Sequence, residues 1–138
     1  MEKTGILGFG NMGEALTKGL VRSRPESGIC IYDRSQEKTA KGAEVYQVNR
    51  VKTPADLFAF AGTVILAIKP QDTDALLKEI SPYSKSKKII TIIAGRPTSV
   101  FANALKTVII CRFMPNIAAL CGRAMTAVSF YEKADESF

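Results

Sequence analysis

The chain has 138 residues, enough for one domain whose core hides about two-thirds of the unfolded surface. It contains no histidine, which excludes Ser-His-Asp and Cys-His nucleophile pairs and His-ligated metals; Cys30, Cys111 and Cys121 show no C-x-x-C spacing, so no metal site is expected. The net charge of +6 is scattered rather than gathered on a basic helix, and no apolar run nears the roughly 20 residues of a membrane helix, so neither nucleic acid nor membrane is an expected partner.

Met1-Glu2-Lys3-Thr4 leads straight into a short apolar strand, Gly5-Ile6-Leu7. That start lacks the charged-then-apolar layout of a signal peptide, so a cytoplasmic location is expected. From Asn11 the apolar period changes: Met12, Ala15, Leu16, Gly19 and Leu20 recur at helical spacing, and Pro25 and Gly28 end the helix. Ile29-Cys30-Ile31-Tyr32 reads as a second strand that runs into Asp33. A short polar helix follows over residues 35–43, with Ser35 as its N-cap, and residues 45–48 carry a weak third-strand signal. Pro54 opens a helix through Leu57, Phe58 and Ala61.

Residues 64–68 form a fourth strand, apolar on both faces, and Thr73, Leu76, Leu77 and Ile80 give the next helical stripe. Residues 89–93 are a fifth strand. Pro97 suits the first turn of a helix whose apolar face is Val100, Phe101, Ala104 and Leu105. Residues 108–111 read as a sixth strand and residues 125–130 as a seventh. Cys30 and Cys111 fall inside strand patterns and are expected to be small buried hydrophobes. Continuous apolar strands alternating with amphipathic helices predict an α/β fold over residues 1–138. Its sheet is doubly wound and mostly parallel, with helices on both faces.

Gly8-Phe9-Gly10-Asn11-Met12-Gly13 fits G-x-G-x-x-G, between a strand and a helix, with Asp33 standing 20 positions past Gly13. In that setting the pattern reads as the Rossmann-type fingerprint for a dinucleotide. Gly8 permits the tight turn, Gly10 the approach of the pyrophosphate, and Gly13 the packing of helix on sheet. The pyrophosphate then meets the free N–H groups of the helix start, so Leu7 through Gly13 form the expected cradle. Asp33 and Arg34 pull in opposite directions. A carboxylate there takes the ribose hydroxyls of NAD, whereas Arg34, helped by Ser35 and Lys38, would grip the 2′-phosphate of NADP. NADP is the slightly favoured cofactor and NAD remains possible.

The fourth strand ends in Ala67-Ile68-Lys69-Pro70-Gln71, where the strand order of a doubly wound sheet reverses. Ala67 is small enough to let a ligand approach the backbone, Pro70 fixes the turn, and Ala94-Gly95 ends the fifth strand in the same way. Cys111-Arg112-Phe113-Met114-Pro115-Asn116 ends the sixth.

These segments, in this order, resemble pyrroline-5-carboxylate reductases. The resemblance rests on the glycine turn, Leu66–Gln71, Ile93–Gly95, Arg112–Asn116, and Gly122 with Met125-Thr126-Ala127, and runs from about residue 4 to residue 131. It departs at Ile117-Ala118-Ala119, where Thr-Pro-Ala is usual, at Arg123 and Ala124, at Arg96, and at Pro54, where an adenine-contacting asparagine is common. It implies hydride transfer from NAD(P)H to the C=N carbon of pyrroline-5-carboxylate, giving L-proline. Leu7 to Gly13, Asp33, Arg34, Ser35, Ala67, Lys69, Pro70, Ala94 and Gly95 would bind the cofactor, and Asn116 would border the substrate. No catalytic residue is assigned. The family's helical C-terminal domain, which forms the dimer, has no match here, so the chain is expected to be a fragment or an isolated cofactor domain, inactive alone and oligomeric only with that domain. The alternatives are a dinucleotide-sensing regulatory domain, or a related imine or keto-acid reductase such as a deazaflavin-dependent NADP reductase relative.

Overall fold

The computed structural model describes residues 2–23, 25–107, 109–115 and 126–131. Seven strands form one sheet in the order β3-β2-β1-β4-β5-β6-β7. They are β1 (Thr4–Leu7), β2 (Ile29–Tyr32), β3 (Asn49–Arg50), β4 (Thr63–Leu66), β5 (Lys88–Thr91), β6 (Ile110–Pro115) and β7 (Thr126–Phe130). The first six run parallel, and β7 turns back antiparallel along β6. Five helices connect them: α1 (Asn11–Leu20), α2 (Gln36–Tyr46), α3 (Pro54–Phe60), α4 (Thr73–Ile80) and α5 (Thr98–Ala104).

Successive strand residues point to opposite faces, and in β1 and β4 both faces are apolar because both are covered. Ile6, Ile29, Ile31 and Ile65 pack on one side with Leu16 and Leu20 of α1 and Tyr46 of α2. Leu7, Cys30, Val64, Leu66, Ile89 and Ile110 pack on the other with Leu57 and Phe58 of α3, Leu76, Leu77 and Ile80 of α4, and Phe101 of α5. The chain leaves β1 toward β2 on one side and returns from β3 to β4 on the other. The order therefore reverses between β1 and β4, as the sequence predicts, and a crevice opens at their carboxyl ends.

Local chemistry places the helix starts. Ser35 caps α2, its hydroxyl accepting from the Lys38 N–H at 3.4 Å, and Thr53 caps α3, accepting from the Asp56 N–H at 3.1 Å. Pro54 occupies the first position of α3, where a missing N–H costs nothing. Pro97 is the N-cap of α5.

Several boundaries differ from the sequence reading. Residues 45–48 are not a strand: α2 runs on to Tyr46, with Val45 62% exposed, and the third strand is only the two residues of β3. Gln47, at φ 55°, is the left-handed residue that ends the helix. β4 and β5 stop at Leu66 and Thr91, short of residues 68 and 93, because the chain there already curves into loops at the crevice. β6 begins at Ile110 and continues through Pro115 because β7 pairs along it, from Cys111 with Phe130 to Pro115 with Thr126. On α5, Phe101 and Leu105 are buried as expected, but Ala104 is exposed.

Candidate functional site

Three glycines shape the turn after β1, and they have different reasons for being there. Gly8 adopts φ 104°, and a Cβ on it would lie 2.5 Å from the Ala67 carbonyl oxygen. A Cβ on Gly13 would collide with the Gly8 carbonyl oxygen. These two let the turn, the start of α1 and the end of β4 come together. Gly10 differs: φ is −82° and ψ −162°, an extended geometry open to any residue, and nothing lies within 4 Å of a Cβ placed there. Neither backbone nor packing demands glycine at position 10. The open space stands over the start of α1, where Gly10 supplies no side-chain cap. The N–H groups of Asn11, Met12 and Gly13 have no partner within the helix, and with the helix dipole they make an anion-binding end.

A groove of about 230 Å³ opens beside this turn, at the carboxyl ends of β1, β2 and β4. Of the residues expected from sequence, it brings together Leu7, Gly8, Gly10, Asp33, Arg34, Ala67 and Lys69. Phe9 and Asn11 instead line a second hollow of about 260 Å³ between α1 and α2, which shares Gly10 and Lys38 with the first. Met12 and Gly13 sit in the first turn of α1, Ser35 at the cap of α2, and Pro70 at the start of a 3-10 turn, Pro70–Asp72; none of them lines the groove. Ala94 and Gly95 lie in the exposed turn after β5, with Gly95 at φ 73°, and do not line it either. Asn116 lies outside the described residues, as do Ile117, Ala118, Ala119, Gly122, Arg123, Ala124 and Met125.

The groove also recruits Tyr32, Ile68, Asp72, Leu76 and Glu79. Ile68 is flanked by two expected positions, but Leu76 and Glu79 come from the middle and far end of α4, and no local pattern sets them apart from other helix positions. Leu76 and Ile68 give the groove an apolar wall suited to a flat ring, and Arg34 and Lys38 stand as cations on its rim. Neither cation is engaged in a salt bridge among the described residues. Burial, and then the Glu79 carboxylate, raise the Tyr32 phenol above its ordinary range, so it stays a neutral hydroxyl. Asp33 is turned inward, accepting from the Phe9 N–H at 2.7 Å and from the Ser35 N–H at 2.8 Å.

The cysteines of the core are not reagents. Cys30 and Cys111 are free and buried, and desolvation pushes each thiol up to about 11. Cys121 lies outside the described residues. Among the described residues no group of His, Cys, Asp and Glu could hold a metal ion, and no helix is long and apolar enough to cross a membrane.

Residues 3–95 match the family described as NADP oxidoreductase coenzyme F420-dependent. The pyrroline-5-carboxylate reductase of Thermus thermophilus is 35% identical over 135 residues, covering 96% of this chain and 50% of its own length. Pyrroline-5-carboxylate reductase 2 of Bacillus subtilis is 30% identical over 142 residues, covering 99% of this chain and 51% of its own. Among solved structures, a pyrroline-5-carboxylate reductase from Coxiella burnetii has the same fold, with a TM-score of 0.89 at 22% identity, over 99% of this chain and 53% of that one. The chain thus spans about half the length of the relatives it matches.

Proposed function

This chain belongs to the family described as NADP oxidoreductase coenzyme F420-dependent, and from that premise we propose that it is the NADP-binding part of a reductase that converts pyrroline-5-carboxylate to L-proline. The observation that carries the binding half is Gly10, a glycine that the fold does not require, beside open space at the uncapped start of α1. The relatives from Thermus thermophilus and Bacillus subtilis, which align over nearly the whole chain, support the substrate half.

The residues present fit a dinucleotide. The N–H groups of Asn11, Met12 and Gly13 would hold the pyrophosphate, with Gly10 leaving room for it. Arg34, with the capped start of α2 and Lys38 beside it, would hold the 2′-phosphate through charge-assisted bonds. NAD would use the same cradle without calling on Arg34. Ala67 and Lys69 would wall the site on the β4 side, with Pro70 fixing the turn behind them; Ala94 and Gly95, outside the groove, would meet a nicotinamide that extends past it toward β5, and Asn116 would border the imine.

When bound, the reduced nicotinamide supplies the hydride for the carbon of the C=N bond. The part of this chain is to bind, orient and set the electrostatics. No described residue is assigned as an acid. Self-association is proposed to reside in the part of the relatives' length that lies outside the match.

Titration of the fluorescence of NADPH tests the binding half directly. Wild type should show saturable binding. Gly10→Val should fold, since its backbone angles suit valine, yet bind too weakly to measure because the branched side chain fills the phosphate space. Equal affinities in the two proteins would overturn the assignment of the glycine turn.

A further inference from the structure

The ladder joining β1 to β2 continues past both strands. The Gly8 N–H donates to the Tyr32 carbonyl at 2.8 Å. At the next position the acceptor is no longer backbone: the Phe9 N–H donates to Asp33 Oδ2 at 2.7 Å. The other oxygen, Oδ1, accepts from the Ser35 N–H at 2.8 Å. Both oxygens of one carboxylate thus face main-chain donors, one on each of the two turns that wall the groove. Bonds of this length from N–H to an ionised acceptor are the strong, charge-assisted kind.

We propose that Asp33 is a positioning residue. It clips the glycine turn to the turn after β2, and it does not choose between dinucleotides through the ribose. Phe9 immediately precedes Gly10, so fixing the Phe9 amide sets the direction in which the chain enters Gly10 and the first N–H groups of α1. The ring of Phe9 is held from the opposite side, packed beneath Gly42 of α2 and edge-on to Tyr46, with centroids 6.5 Å apart. Side chain and amide together leave this residue little freedom.

The same geometry explains how Asp33 and Arg34 stand side by side in one groove. An acidic side chain aimed into the groove would oppose a phosphate beside Arg34. Here the carboxylate charge is spent on two backbone dipoles, and Arg34 is left to act on the ligand. The clip itself is a property of the free protein, whereas its effect on affinity rests on the dinucleotide reading above.

Two measurements separate these. Amide NMR spectra of ligand-free wild type, Asp33→Asn and Asp33→Ala read the clip. In Asp33→Asn one of the Phe9 and Ser35 amide protons should move upfield and exchange faster, because the isosteric amide has only one accepting oxygen. In Asp33→Ala both should do so, while amides of β4 and β5 stay in place. Unmoved Phe9 and Ser35 amides in Asp33→Asn would overturn the proposal. Titrations with NADPH and NADH read the consequence. Asp33→Asn should weaken both by about tenfold, as expected for losing one hydrogen bond to a charged group, with their ratio within about threefold of wild type. A larger change of ratio, in either direction, would return Asp33 to the ribose. If wild type binds neither nucleotide, the functional reading falls, and the amide spectra still decide the clip.

Discussion

Arg34 is exposed at the rim of the groove, one residue past an aspartate whose oxygens are turned to the backbone. A guanidinium on a phosphate is worth about 1.5–3 kcal/mol when the pair is sheltered, and its exposure places the expected gain near the lower end. Arg34→Ala should therefore lower affinity for NADPH by about tenfold and leave NADH nearly unchanged, as read by parallel fluorescence titrations. If wild type already prefers NADH, Arg34 does not hold a 2′-phosphate and the assignment of NADP fails. At this scale the sequence was a good guide wherever a residue acts through its own backbone position. Gly8, Gly10 and Gly13 stand where the motif puts them. What it does not reveal is direction: a carboxylate at the end of β2 suits the ribose hydroxyls of NAD, and only the folded turn brings the Phe9 and Ser35 amides to the two oxygens of Asp33.

The glycine turn is held in part by a helix that does not follow it in the chain. Gly42 of α2 faces the Phe9 ring so closely that a Cβ there would overlap ring carbons. Tyr46, one turn later, meets the same ring edge-on, and its hydroxyl donates to Glu14 Oε1 of α1 at 2.9 Å. Alanine at 42 would gain about 1 kcal/mol of helix propensity, but overpacking in a filled site costs about 1–3 kcal/mol, and the buried ring has little room to yield. Gly42→Ala should thus lower the urea midpoint modestly and weaken NADPH binding at the same time, through displacement of Phe9. A stabilised variant with unchanged affinity would show that the ring simply moves aside. Nothing in the local sequence marks Gly42, since a glycine inside a polar helix looks like a tolerated weakness. The elements themselves were legible because apolar runs in β1, β2, β4 and β5 are bounded by glycine, proline and capping residues. Their ends were not, because pairing with a neighbour decides them. β6 runs to Pro115 only because β7 lies alongside, and β3 shrinks to Asn49 and Arg50 because α2 takes the residues before it. Ala94 and Gly95 fell outside the groove for a similar reason: β5 is one strand further from the reversal point than β4.

Across the whole molecule, the groove would supply one side of the reaction centre proposed above. Its lining comes from the carboxyl ends of β1, β2 and β4, from Lys38 of α2, and from α4 and the turn before it. Hydride transfer needs donor and acceptor carbons held about 3–3.5 Å apart in an aligned pose, which requires a second set of contacts to fix the imine and its carboxylate from the opposite side. The lining of the groove is taken up by the residues proposed to hold the dinucleotide and by their neighbours, and about half of each relative's length lies outside the match. An open nicotinamide face would also admit water, which weakens every electrostatic contact that orients the reactants. The 138-residue polypeptide is therefore expected to bind NADPH yet to reduce pyrroline-5-carboxylate far more slowly than the usual enzyme range of about 1–1000 per second. Steady-state oxidation of NADPH, followed by absorbance with and without the imine, measures this. Turnover within that range would mean that these residues alone assemble both sides of the centre, with the substrate clamp supplied by segments near β6 and β7.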